Sequence, residues 1–197
     1  MRARRAAGER SRRAILREAA QLATMEGIEG LSIGRLAEAV GMSKSGLYAH
    51  FGSKEELQLA TIAAATEIFE AHVVAPAAAA TSGLERLRLL VDGYLRYIET
   101  DVFAGGCFFA SVLSETDTRP GPVRDRLFVF LADWLGRLDA AIREAQAEGS
   151  LDPNEDPADL TFELEAAIFL ANTQFVVVHD SEPIERARRI IDRRLER

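Results

Sequence analysis

Residues 32–54, SIGRLAEAVGMSKSGLYAHFGSK, set two short helical patterns on either side of a Gly-containing turn. Ile33, Leu36, Ala37 and Val40 recur at three- and four-residue intervals, which puts them on one stripe of a helix, and Leu47 and Phe51 do the same for the next. Gly41 between them can close the first helix in the left-handed conformation, and the Ser43 hydroxyl can cap the second. Ala37 is small enough for the second helix to cross close by. Lys44, Ser45, Gly46, Tyr48, Ala49 and His50 are not needed for this core and project from the second helix or its first turn. That polar and basic face is shaped for a DNA major groove, the layout of a helix-turn-helix. Two short helices with a polar outer face also occur in proteins that touch no nucleic acid, so the charge around them has to be weighed.

Residues 1–54 hold ten Arg or Lys against five acids, near +5, while the whole chain carries -7; residues 55–197 therefore carry about -12. Basic charge segregated onto the end that holds the helix-turn-helix is what a phosphate backbone selects for. Arg2, Arg4, Arg5, Arg10, Arg12 and Arg13 precede or open the first helix. Such an arm either follows phosphates and an adjacent minor groove or stays solvated. The arginines are followed by an amphipathic run, Ala14 to Leu22, and not by the apolar segment of a signal peptide.

Residues 14–57, AILREAAQLATMEGIEGLSIGRLAEAVGMSKSGLYAHFGSKEEL, resemble the N-terminal DNA-binding domain of the TetR family of bacterial transcriptional regulators. The most specific pieces are the GxxG loop Gly27–Gly30, the second helix, Ser43 to Phe51, and the following Ser53-Lys54-Glu55-Glu56-Leu57. The resemblance implies phosphate contacts from Ser32, Tyr48, His50 and Lys54, with Lys44, Ser45 and Gly46 facing base edges; Arg35 and Ser43 complete the expected DNA-binding set. Side-chain chemistry agrees, since Tyr and His offer single directional donors and Lys a mobile point charge. Ala23, Ile28 and Gly34 depart from the family's pattern, which bears on the operator sequence. Ser53 with Glu56 three positions on also reads as a helix cap, a second task for that segment. Tyr48 has the alternative of half-burial against the first helix, and His50 that of an ordinary surface histidine.

The rest of the chain carries helical periodicity, with no alternating strand pattern and no repeat, so the expected fold is all-α: a three-helix head joined by a long helix to a C-terminal bundle, about nine helices in all. The expected domains are 1–54, DNA-binding with its basic arm, and 55–197, ligand-binding and dimerising. The connecting helix runs from Glu55 to about Val74, and Pro76 with the small residues after it reads as a loop. Leu84, Leu87, Val91, Tyr94 and Ile98 form one stripe; Leu127, Phe130, Leu131, Trp134, Leu138 and Ile142 another. Asp156 caps the penultimate helix with Pro157 in its first position.

That penultimate helix is apolar on more than one face: Ala166 to Ala171 and Phe175 to Val178 nearly encircle it. Either it is central to one subunit or a second copy covers it. In the TetR family the last two helices make a two-fold interface, and the resemblance implies a homodimer with Ile168, Phe175, Ile184 and Ile191 in the contact. Two heads about 34 Å apart would then read a near-palindromic operator.

Tyr94, Phe103, Cys107, Phe108, Trp134, Phe169 and Phe175, with Asn172 as polar anchor, are candidates for a pocket holding a small lipophilic effector; each is equally what a bundle core needs. The Gly105-Gly106-Cys107-Phe108-Phe109 turn resembles a segment of one TetR subgroup, near where the body touches the connecting helix. An enzyme finds little support: His50, His72 and His179 are far apart, with no HExxH spacing, no Cys/His cluster and no phosphate-binding loop. No cofactor or metal is implied. A helical adaptor, or a small-molecule-binding protein without sequence-specific DNA binding, would fit the body but not the basic head. Cys107 is the single cysteine and reads as a small buried residue in a reducing cytoplasm, and no 18-residue apolar run suggests a membrane span.

Overall fold

A computed structural model describes residues 2–116, 118 and 120–196, with side chains from residue 8 onward. Among the described residues the chain forms nine helices and no strand: α1 (Arg2–Glu26), α2 (Ile33–Val40), α3 (Lys44–Phe51), α4 (Lys54–Ala77), α5 (Gly83–Glu99), α6 (Phe108–Thr116), α7 (Pro122–Ala147), α8 (Pro157–Val178) and α9 (Glu182–Leu195). The all-α class expected from the periodicity is the one found. α1 begins at Arg2, so the backbone of the basic arm is its opening turns; the side chains of Arg2, Arg4 and Arg5 lie outside the described residues.

The connecting helix differs from expectation in its second half. α4 continues past Val74, through a π turn at Glu70–Val74, and ends in the short turn Ala75–Ala77 that contains Pro76. Proline lacks an N–H, and in a regular α-helix its ring would meet the carbonyl four residues back. The wider π turn just before it relieves that conflict, so the helix bends its hydrogen-bond register and does not stop.

Contacts group the chain into two compact units. One comprises Met1–Glu67 with Phe103–Phe128, the other Ile68–Val102 with Val129–Arg197. In the first, Ile15, Leu16, Ala19 and Leu22 of α1, Leu36 and Ala37 of α2, Leu47 and Phe51 of α3 and Leu57 of α4 form one buried cluster. α1 packs on α2 and on α6, and α2 on α3. In the second, α5 packs against the π turn, α8 and α9, and α8 against α9. The α5 stripe is buried through Leu87, Val91, Tyr94 and Ile98. Arg86 of α5 pairs with Glu144 of α7 at 2.9 Å, and the bond holds the Glu144 carboxyl below its usual range.

α8 opens as its sequence predicts, with the Asp156 carboxylate accepting the Ala158 N–H at 2.8 Å and Pro157 in the first turn. By length and composition alone, Lys54–Ala77 and Pro157–Val178 are apolar enough to cross a membrane.

Candidate functional site

The turn between α2 and α3 is held by local chemistry. Ser32 caps α2, its Oγ accepting the Arg35 N–H at 3.2 Å, and Gly41 ends it with φ +66, where a side chain would be strained. Ser43 caps α3, its Oγ accepting the Gly46 N–H at 3.1 Å. Leu47 is fully buried and Phe51 nearly so, so α3 is pinned by one face. The opposite face carries Lys44, Ser45, Tyr48, Ala49 and His50, all exposed. Tyr48 is 58% exposed and its ring is committed to no interior. Gly46 is half-buried against its own N-cap, where a Cβ would lie 3.1 Å from Ser43 Oγ.

Lys54 and Arg35, two cationic residues of the predicted set, have partners at the protein surface. Lys54 Nζ donates to the Glu29 carbonyl at 2.6 Å and to its carboxylate at 3.2 Å. Arg35 makes a two-pronged bond to Glu26 at 2.6 to 3.1 Å, which lowers the Glu26 carboxyl below its usual range. Both pairs lie at the surface, where water screens them and they hold these side chains only weakly. Lys44 lies along the start of α2: a Cβ on Gly34 would sit 3.3 Å from its Cε. Ser32, Ser43 and the α3 residues thus share one structure, while Arg35 points to the end of α1 and Lys54 to the loop after it.

Arg12, in sequence simply one arginine of the basic arm, has a defined place in the fold. Its guanidinium lies 4.7 Å above the Phe51 ring and donates to the His50 carbonyl at 3.1 Å. It therefore holds the last turn of α3, where carbonyls lack helical partners and a cation is favoured.

The effector candidates divide into three sets. Phe103, Cys107 and Phe108 are buried in the first unit, with Phe103 and Phe108 rings 6.2 Å apart and Phe108 edge-to-face with Phe109. Tyr94, Trp134, Asn172 and Phe175 are buried in the second. Phe169 faces outward, 48% exposed. Tyr94 and Trp134 of the second set pack on Phe69, which its local sequence does not single out. Phe69 makes edge contacts to Tyr94, Tyr97, Phe130 and Trp134 with ring centroids 5.1 to 5.6 Å away. Trp134 Nε1 donates to Glu165 at 2.8 Å, and burial pushes that carboxyl up to about 7 against the lowering effect of the same bond. Glu163 points elsewhere, to Arg194 at 2.6 Å.

Ile168, Phe175, Ile184 and Ile191, the predicted dimer residues, face the interior of their own unit. The outer surface of the last two helices carries instead Phe162, Phe169, Leu170, Val177, Val178 and Ile190, all exposed. An open groove of about 670 Å³ runs between α8 and α9, lined by Phe162, Ala166, Ala167 and Ile190 with Glu163 and Arg194 at its edge. Among the described residues no three His, Cys, Asp or Glu side chains converge as metal ligands.

Two family models match the chain: bacterial regulatory proteins, tetR family, over residues 15–61, and the tetracyclin repressor-like C-terminal domain over residues 83–191. No curated protein matches it in sequence at a significant level. Solved structures with the same fold include a TetR transcriptional regulator from Chloroflexus aurantiacus, 24% identical, covering 97% of this chain and 94% of that one with a TM-score of 0.82. AibR, solved in complex with isovaleryl coenzyme A and operator DNA, is 24% identical over 91% of this chain and 95% of its own, with a TM-score of 0.74. PfmR from Thermus thermophilus is 26% identical over 90% and 94%, with a TM-score of 0.68.

Proposed function

Because the chain belongs to the TetR family of bacterial regulators, we propose that it is a ligand-responsive, DNA-binding transcriptional regulator, a repressor released from a near-palindromic operator by a small-molecule effector. The observation that carries this reading is α3: two buried side chains, Leu47 and Phe51, fix it from one side while Lys44, Tyr48 and His50 stand exposed on the other. In this reading Lys44, Ser45 and Gly46 meet base edges. Ser32, Arg35, Ser43, Tyr48, His50 and Lys54 hold phosphates and set the register. Residues 1–54 do the reading, and residues 55–197 bind the effector and dimerise.

The apolar outer face of α8 and α9 supports a second copy of the chain as its cover, in a cytoplasmic homodimer. The charged Glu163–Arg194 pair at the groove edge suits a protein partner and would be penalised in lipid. Two heads held about one helical turn of DNA apart, roughly 34 Å, match successive major grooves. A lipophilic effector that prefers a different spacing releases the DNA. Moving a 1:99 mixture to 99:1 takes a differential affinity of about 5.5 kcal/mol. The rings around Phe69 are packed edge-to-face, so an effector entering there has to part them.

The test is selection of bound fragments from the host genome with purified protein, beside a Tyr48→Ala, Lys54→Ala variant. The wild type enriches a near-palindrome and the variant does not. Binding weakens with salt, log K falling about 0.9 per phosphate neutralised. Fragments recovered with no common sequence would overturn the reading.

A further inference from the structure

The loop that joins α1 to α2, Gly27-Ile28-Glu29-Gly30, is gripped from three sides. Glu115, near the end of α6, accepts the Ile28 N–H on Oε2 at 2.7 Å and the Glu29 N–H on Oε1 at 2.9 Å. Gly27 makes this geometry available: its φ of +79 turns the two following N–H groups the same way, and a Cβ there would come within 2.7 to 2.9 Å of the Glu115 carboxylate. Consecutive N–H groups after a left-handed residue form an anion-binding concavity, here filled by the protein's own carboxylate. On the other side the Ile28 carbonyl accepts from buried Gln58 at 2.8 Å, so the Ile28–Glu29 peptide is held at both its oxygen and its nitrogen. The next carbonyl, that of Glu29, takes Lys54 Nζ.

The turn just before α6 is pressed onto α1 as well. A Cβ on Gly105 would lie 2.2 Å from the Thr24 carbonyl oxygen, so backbone meets backbone there. Residues 103–128 match the family's C-terminal domain in sequence, yet by contacts they belong with the reading head.

We propose that Glu115 is a positioning residue for DNA reading: through the Ile28 and Glu29 amides it fixes the loop from which α2 departs and on which Lys54 rests, and so sets the attitude of α2 and α3 toward the duplex. This rests on the DNA-reading function proposed above. Its sign separates it from simple electrostatics. Removing an acid near a polyanion-binding surface tightens binding if charge alone matters. Loss of the positioning contact loosens it, because specific binding requires the helices to be set in advance while non-specific binding does not.

The experiment uses the full-length protein and an operator fragment recovered by genomic selection. Glu115→Gln keeps the shape and one acceptor but removes the charge and leaves one N–H facing an amide. The expected result is operator binding weaker by roughly tenfold, non-specific DNA binding unchanged, and faster amide exchange at Ile28 and Glu29 with the circular dichroism of the wild type. Operator binding equal to or tighter than wild type would overturn the positioning role alone. A wild type that selects no fragment would take down the DNA-reading function, and the role of Glu115 with it. If Glu115→Gln fails to fold, Glu115→Asp, which keeps the charge and withdraws it by one methylene, is read by the same criteria.

Discussion

Replacing Glu165 by glutamine should stabilise the protein, and only at neutral and higher pH. The Glu165 carboxyl is partly buried beneath Trp134 and is raised from 4.5 to about 7, chiefly by lost hydration. An acid whose folded value exceeds its unfolded one contributes fully below about 4.5, and that contribution is lost as pH rises through 7, where the folded chain must ionise a carboxyl held away from water. At about 1.36 kcal/mol per pH unit the ceiling is about 3 kcal/mol. Residual solvent around a half-buried group reduces this to about 1–2 kcal/mol. Glutamine keeps an oxygen for the Trp134 N–H, which donates at 2.8 Å in the wild type. Thermal unfolding followed by circular dichroism from pH 5 to 8 should show the variant's advantage growing from near zero to about 2–8 °C. An advantage that does not change with pH, or a variant less stable at pH 8, would refute the assignment of burial as the dominant cause.

Arg12→Ala removes a cation over Phe51 and a bond to the His50 carbonyl, together about 1–2 kcal/mol of support for α3. Operator affinity should fall roughly tenfold with the slope of log K against log salt unchanged, measured by equilibrium titration at several salt concentrations. A slope shallower by about 0.9 would instead make Arg12 a phosphate contact. Phe169→Asp sets a charge on the outer face of α8, 48% exposed in the single chain. Sedimentation should then find monomer where the wild type sediments as a dimer; a variant that stays dimeric would move the interface elsewhere.

What the sequence made legible was local. Ser43, Gly41, Asp156 and Pro157 act within a turn of where they stand, so propensity and spacing were enough to assign their tasks. The contacts that spacing does not reveal are distant ones: Arg12 to His50 across 38 residues, Glu165 to Trp134 across 31, and Glu115 to Ile28 across 87. Periodicity says which face of a helix is apolar but not which neighbour meets it. Phe69 has nothing in its surrounding residues to mark it as the centre of four aromatic rings. On α8 two apolar stripes satisfy the same spacing rule. Spacing does not say which stripe meets the rest of the unit; packing turns Ile168 and Phe175 inward and leaves Phe162, Phe169 and Val177 outside. Pro76 read as a stop because an α-helix cannot hold it, and a π turn has no signature in composition.

The grouping of Phe103–Phe128 with Met1–Glu67 separates chain order from assembly order. During synthesis the first three helices emerge early but wait for α6 before Ile28 and Glu29 find their acceptor. With ribosomes adding about 5–20 residues per second, that interval lasts several seconds. A graft that moves only the first 54 residues onto a homologous body would impose the same want permanently, so recombined regulators should keep their donor's residues 103–128 together with its head.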